Sequence, residues 1–177
     1  AASDVYKRQT IDCPVCGGDA FVHLFEKAGE PFVRCEGCGL MLINPRPNLS
    51  AIEETYDDDY SKHYIKKADK KLARCRRWVN RVQRRFVKSG RWLDVGCSAG
   101  FVVKAAELAG FDAYGVEFER GAVKYANETL KLPNVVLGTL ESQHYPDNFF
   151  DVVSLYDVIE HVPELNAVVA ELARILA

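Results

Sequence analysis

Cys13-Pro14-Val15-Cys16-Gly17 and Cys35-Glu36-Gly37-Cys38-Gly39 are two C-x-x-C-G knuckles with 18 residues between Cys16 and Cys35. That separation falls in the window for a four-thiolate zinc site. Two residues between cysteines let one tight turn aim both sulfurs at a single metal, and the glycine that follows permits the backbone conformation the turn needs. Two knuckles complete a tetrahedral shell with no open position, so Cys13, Cys16, Cys35 and Cys38 are expected to hold a structural Zn2+. The competing reading is four unrelated buried thiols or disulfides.

A second constellation begins at Arg91-Trp92-Leu93-Asp94-Val95, a short β-like run that breaks at Gly96-Cys97-Ser98-Ala99-Gly100 into a helical stretch. A dinucleotide-binding turn needs G-x-G-x-x-G so that backbone can approach a pyrophosphate. Here Ser98 stands at the second glycine position, and Asp94 sits two residues before the first glycine. A carboxylate there repels a pyrophosphate and suits a cationic ligand. S-adenosylmethionine carries an ammonium and a sulfonium and no phosphate, so it is the expected ligand. A plain strand-to-helix turn is the alternative.

Leu93-Asp94-Val95-Gly96-Cys97-Ser98-Ala99-Gly100 resembles motif I of class I S-adenosylmethionine-dependent methyltransferases. The run from Phe150 to Val162 resembles that family's fourth strand, in the subgroup with a Glu-His pair found in ubiquinone-biosynthesis-type O-methyltransferases. A zinc ribbon ahead of such a domain resembles bacterial methyltransferases that include sugar C-methyltransferases, and the likeness covers about residues 10–177. The resemblance implies that Gly96 and Gly100 let the methionine part of the cofactor lie against the backbone, with Asp94 orienting its amino group. Cys97 and Ser98 line the same loop. By the same resemblance Glu117 accepts the ribose hydroxyls, Phe118 flanks the adenine, Thr139 and Leu140 meet the adenine edge, and the Tyr156 backbone touches the methionine end. His161 is the candidate base, with Glu160 orienting it. The resemblance also allows Asp157, Glu160 and His161 to hold a divalent cation, and the plainer reading has Glu160-His161 capping a turn before a helix at Pro163.

These residues need elements to carry them. Ala20–Phe25 and Pro31–Arg34 read as strands around a turn at Lys27-Ala28-Gly29-Glu30, giving a ribbon over residues 10–47 that the prolines of Asn44-Pro45-Arg46-Pro47 end. His23 reads as a surface strand residue. From Arg91 onward the pattern is β-α-β-α-β, with strands at Ala113–Glu117, Val135–Gly138 and Phe150–Tyr156 and a closing helix over Pro163–Leu176. This implies an α/β fold, a parallel sheet covered on both faces, with ligands bound beyond the strand carboxyl ends. The family resemblance sets the strand order at 3-2-1-4, half of the family's seven strands. Residues 91–177 are therefore expected to be a C-terminally shortened domain whose fourth strand is an exposed edge, poorly soluble or inactive on its own.

Between the two lies a linker at residues 48–90. Tyr56, Tyr60 and Tyr64 share a helical face that either covers a ligand or packs on a neighbour. From Lys66 to Lys88, Leu72, Cys75, Val79, Val82 and Phe86 recur at helical spacing, with Trp78 alongside and Cys75 expected in the core. The opposite face carries Lys70, Lys71, Arg74, Arg77, Arg81, Arg84 and Arg85. This face either meets RNA or a nucleotide-linked substrate, or is the solvated face of a helix packed on the acidic domain that follows. The net charge of −2 conceals the contrast: residues 62–91 hold 13 basic groups against Asp69 alone.

With 48% apolar and 27% charged residues in 177, disordered and collagen-like chains are excluded. No apolar stretch nears the roughly 20 residues of a membrane span, and no leader is visible, so a cytoplasmic location is expected. Asp4-Val5-Tyr6-Lys7-Arg8-Gln9 resembles the translation of a sequencing adapter, with a short polar leader as the alternative for residues 1–9. The functional expectation is methyl transfer to a small molecule, such as a nucleotide-linked sugar. An RNA methyltransferase and a non-catalytic ribbon module are the rivals.

Overall fold

A computed structural model describes residues 8–47, 65–162 and 164–177. The tyrosine row at 56, 60 and 64, and Pro163, lie outside the described residues. The chain divides into two compact units, residues 1–56 and 57–177.

In the first unit β1 (Arg8–Gln9), β2 (Phe21–Lys27), β3 (Glu30–Cys35), β4 (Met41–Ile43) and β5 (Arg46–Pro47) follow in order. β2, β3 and β4 form an antiparallel sheet, and β1 pairs with β5. Ala28 and Gly29, both at positive φ, make the two-residue turn between β2 and β3. Such a turn matches the twist of the strands it joins. The ribbon gains a third strand, β4, and Arg46–Pro47 form a short strand of their own. Asn44 is buried and exchanges two hydrogen bonds with the Ile11 backbone, at 3.1 and 2.9 Å. The chain then continues into β5. Arg8, grouped by sequence with the leader, donates to both Glu30 oxygens at 2.9 and 2.7 Å and to the Pro45 carbonyl at 2.9 Å.

The second unit contains α1 (Ala68–Arg85), β6 (Arg91–Val95), α2 (Phe101–Leu108), β7 (Asp112–Glu117), α3 (Arg120–Glu128), β8 (Val135–Leu137), β9 (Val152–Leu155) and α4 (Leu165–Ile175). The sheet is parallel in the order β8-β7-β6-β9, the expected 3-2-1-4. Side chains alternate across β6: Trp92 joins a core with Val79, Phe101 and Phe111, while Leu93 and Val95 join Val116, Phe150 and Ile175 on the other face. The sheet is therefore covered on both sides. α4 starts at Leu165 and stops at Ile175, so it is shorter than expected at both ends. Leu176 leaves the helix to make a parallel bridge with Phe150, next to β9. The edge is thus paired at its entry, although β9 itself has no outer partner among the described residues. No helix among them is long and apolar enough to cross a membrane.

Candidate functional site

The ribbon knuckles are built alike. In each, the first cysteine's carbonyl accepts from the glycine four residues on, Gly17 or Gly39, at 2.8 and 2.9 Å. Both glycines sit at positive φ, which a side chain would strain. The turns bring one sulfur from each of Cys13, Cys16, Cys35 and Cys38 within 4.8 Å of one another. The Sγ atoms of Cys13 and Cys38, and of Cys16 and Cys35, lie 3.5 Å apart. Four thiolates about 2.3 Å from one ion stand roughly 3.8 Å apart, so the donor set and spacing fit a tetrahedral metal.

In the second unit the loop after β6 folds back on β7. The Gly96 and Cys97 amides both donate to the Val116 carbonyl, at 2.9 and 3.1 Å. Gly96, Ser98 and Gly100 all take positive φ. Ser98 thus occupies a glycine-like conformation at the motif's departing position. Glu117, buried at the end of β7, accepts from the amides of Ser98, Phe118 and Glu119 at 2.7, 2.8 and 2.9 Å. Burial still raises its pKa, with those backbone bonds opposing the shift. Buried Glu119 caps α3 by accepting from the Gly121 and Ala122 amides, and Phe118 between the two acids is exposed.

The glycines have packing reasons that motif reading did not supply. A Cβ on Gly96 would fall 2.5 Å from Val158, and one on Gly100 would fall 3.1 Å from the Ala126 side chain. Gly115, absent from the expected site, leaves room for the Cys97 sulfur, which would lie 2.7 Å from a Cβ there. Cys97 is accordingly buried, with its sulfur against β7.

Asp94 is 3% exposed and accepts a 2.6 Å hydrogen bond from the Ser154 hydroxyl. Trp92 Nε1 donates to the same hydroxyl at 2.8 Å. Burial pushes the Asp94 carboxyl up to about 7, the Ser154 bond opposes this and the charge of Glu117 adds to it. Above Asp94 is a cavity of about 40 Å³ lined by Gly96 and Tyr156 and, from α1, Lys71, Arg74 and Trp78. Trp78 stacks on Tyr156 with ring centres 4.5 Å apart, and the Arg74 guanidinium lies 5.0 Å over Trp78. These α1 residues were missing from the expected site. Their signal was the spacing 71, 74, 78, which puts two cations and an indole on one helical face.

Two expectations are corrected. Leu140 is 3% exposed and packs in the core with Val116 and Phe150, so its side chain is withdrawn from any adenine edge, whereas Thr139 is exposed. Asp157, Glu160 and His161 do not converge: among the described residues only the four cysteines gather three or more metal-binding atoms. Glu160 and His161 are exposed on a 3-10 turn, Ile159–His161, and Glu164 stands at the start of α4 without a side-chain cap. α1 docks on the second unit's core through Leu72, Cys75, Val79 and Val82, with Arg74, Arg77, Arg81, Arg84 and Arg85 exposed, the arrangement that the solvated-face reading expects.

The profile of a family described as "Methyltransferase domain" matches residues 93–177. Curated relatives include a ubiquinone biosynthesis O-methyltransferase of Thiobacillus denitrificans, 32% identical over 106 residues that cover 56% of this chain and 44% of the relative. A demethylmenaquinone methyltransferase of Geobacillus kaustophilus is 32% identical over 109 residues, covering 56% and 47%. The chain spans less than half the length of these relatives. Among solved structures, a TehB-like SAM-dependent methyltransferase of Corynebacterium glutamicum aligns with a TM-score of 0.54 at 20% identity, covering 68% of each chain. A Methanococcus maripaludis protein, provisionally described as an S-adenosyl-L-methionine-dependent methyltransferase, aligns at 0.61 with 18% identity, covering 68% of this chain and 59% of that one. At those identities the two structures speak for the fold.

Proposed function

We propose that residues 93–177, which the methyltransferase-domain profile matches, form a class I S-adenosylmethionine-dependent methyltransferase domain, and that the protein transfers the cofactor's methyl group to a small-molecule acceptor. The observation that carries this reading is the bipolar cavity at the end of β6. Buried Asp94 lines it together with Lys71 and Arg74 of α1. A zwitterionic amino acid head group matches that arrangement, ammonium on Asp94 and carboxylate toward Arg74. On this reading Glu117 receives the ribose, Phe118 flanks the adenine, and Thr139 meets its edge. The cofactor's sulfonium supplies a carbon already activated for in-line displacement, so alignment does much of the work.

The chain's remaining task is to hold the acceptor and receive its proton. His161, exposed in the loop that continues from Tyr156, is the proposed base, with Glu160 beside it. In the first unit we assign the four cysteines a structural Zn2+, since the closed sulfur set leaves no position for a substrate. Calorimetry with S-adenosylmethionine tests the reading. Binding that Glu117→Ala weakens supports it, and the absence of heat with the wild type overturns it.

A further inference from the structure

Trp92 and Asp94 are two residues apart on β6, so their side chains leave the same face of the strand. Ser154 on β9 is paired in parallel register with Asp94. The register sets an indole, a hydroxyl and a carboxyl side by side, on the face where Trp92 packs with Val79 of α1 and Phe101 of α2. Trp92 and Asp94 are both buried.

The chemistry of the three groups gives the bonds between them a direction. An indole N–H donates and never accepts. Trp92 Nε1 lies 2.8 Å from Ser154 Oγ, so the hydroxyl oxygen accepts there. The hydroxyl's own proton then has two acceptors in reach, Asp94 Oδ1 at 2.6 Å and the Leu93 carbonyl at 3.4 Å. The first distance is that of a charge-assisted O–H···O⁻ bond, and the second is that of a weak one. A hydroxyl that already accepts is a stronger donor, so the Trp92 bond reinforces the bond to Asp94. Asp94 Oδ2 accepts no hydrogen bond among the described residues, and Asp94 lines the cavity with Lys71 and Arg74.

Packing explains only the first of these bonds. A buried indole N–H needs an acceptor, and a backbone carbonyl would serve it as well as a serine. The second bond runs against the preference of the ligand-free core. Burial pushes the Asp94 carboxyl up to about 7, and the Ser154 bond opposes that shift. The hydroxyl thus favours the charged form of a group that burial favours neutral, which has a use where a cation is to be received. We propose that Ser154 is a positioning residue for the methyl donor: held by Trp92, it fixes Asp94 Oδ1 and leaves Oδ2 to receive the cofactor's ammonium. Ser154 acts through Asp94, and Trp92 acts through Ser154. Without the hydroxyl the carboxyl is free to turn and meets the ammonium misaligned. The assignment rests on the cofactor reading above.

The test is calorimetric titration of the whole chain with S-adenosylmethionine and with methylthioadenosine, which keeps the nucleoside and the sulfur and lacks the amino acid part. Ser154→Ala should weaken S-adenosylmethionine by about tenfold and leave methylthioadenosine unchanged. Ser154→Thr keeps a hydroxyl on a residue type that suits a strand, and should restore most of the affinity. Ser154→Ala by itself leaves the Trp92 N–H without its acceptor, a cost to folding that the double variant Trp92→Phe/Ser154→Ala avoids. The double variant should show the same loss, confined to S-adenosylmethionine. Equal weakening of both ligands marks a purely structural role and overturns the inference. So does wild-type affinity in the alanine variants, or a threonine variant no better than alanine. In each of these cases, binding of S-adenosylmethionine by the wild type leaves the cofactor reading standing. Its absence in the wild type removes that reading and the inference together.

Discussion

In the ribbon, all four candidate ligands come from two short turns of the same construction. In the sheet domain, the candidate cofactor contacts run from Lys71 to Tyr156 and come from a helix, four strand ends and their loops. The first site is closed and chemically uniform, so a single ion can satisfy it. The second holds unlike groups in partial burial, with Asp94 under a small cavity and Glu117 committed to three backbone amides. A local site depends on its ion for its fold. A dispersed one borrows its geometry from a core that is already packed.

The largest effect expected from that contrast is metal removal. Chelation, or Cys13→Ser, should unfold residues 10–47, because binding energy in a small zinc site is folding energy, on the order of 10 kcal/mol. Trp78 and Trp92 both lie in the second unit, so their fluorescence should stay native while the ribbon's strand signal is lost. A ribbon signal that survives chelation would show that its sheet stands without an ion.

Asp94→Asn should act in two directions. It should weaken S-adenosylmethionine binding at least about a hundredfold by removing the ammonium's partner. It should also stabilise the ligand-free protein at pH 8 by a few kcal/mol, on the order expected for a carboxyl raised to about 7. Folding favours the neutral form of this group. Its contribution to stability is therefore intact below the ordinary value of 3.8 and is lost as pH rises through about 7. Cofactor affinity should move the opposite way and strengthen through the same window. Denaturant melts and calorimetry at pH 6 and pH 8 check both signs, and a flat profile in the wild type would remove Asp94 from the role.

Gly115→Ala should cost roughly 1–3 kcal/mol, since its Cβ would fall 2.7 Å from the Cys97 sulfur. Cys97→Ala should recover part of that loss in the double variant, and purely additive costs in a double-mutant cycle would show that the two do not meet. The smallest effect is expected at the helix. Arg74→Gln should weaken S-adenosylmethionine by about tenfold and leave its decarboxylated analogue nearly unaffected. Equal losses for both ligands would mean that Arg74 shapes the cavity without touching the carboxylate.

Much of this was legible in the chain because the signals were local. Knuckle spacing places four sulfurs through two tight turns, and a glycine break after an apolar run places a helix on a strand. Asp94 and Glu117 were legible because strand ends fall at predictable positions. Leu140 differs because, three residues past the end of β8, the chain turns its side chain into the core, and sequence pattern does not resolve that turn. Lys71, Arg74 and Trp78 were readable as a helical face, yet not as part of a site, because nothing local says which cavity a helix will cover.

By itself the sequence determined the pairing of four cysteines in two knuckles, the alternation of strands and helices and the acids that flank the glycine turn, all through short-range spacing and the side-chain period of each element, while the strand order came from the family resemblance. Only the tertiary structure decided that the basic helix reaches over Asp94, that Gly115 makes room for Cys97, and that Asp157, Glu160 and His161 stay apart. Those outcomes depend on where distant elements pack, and packing is settled by shape and burial across the whole core.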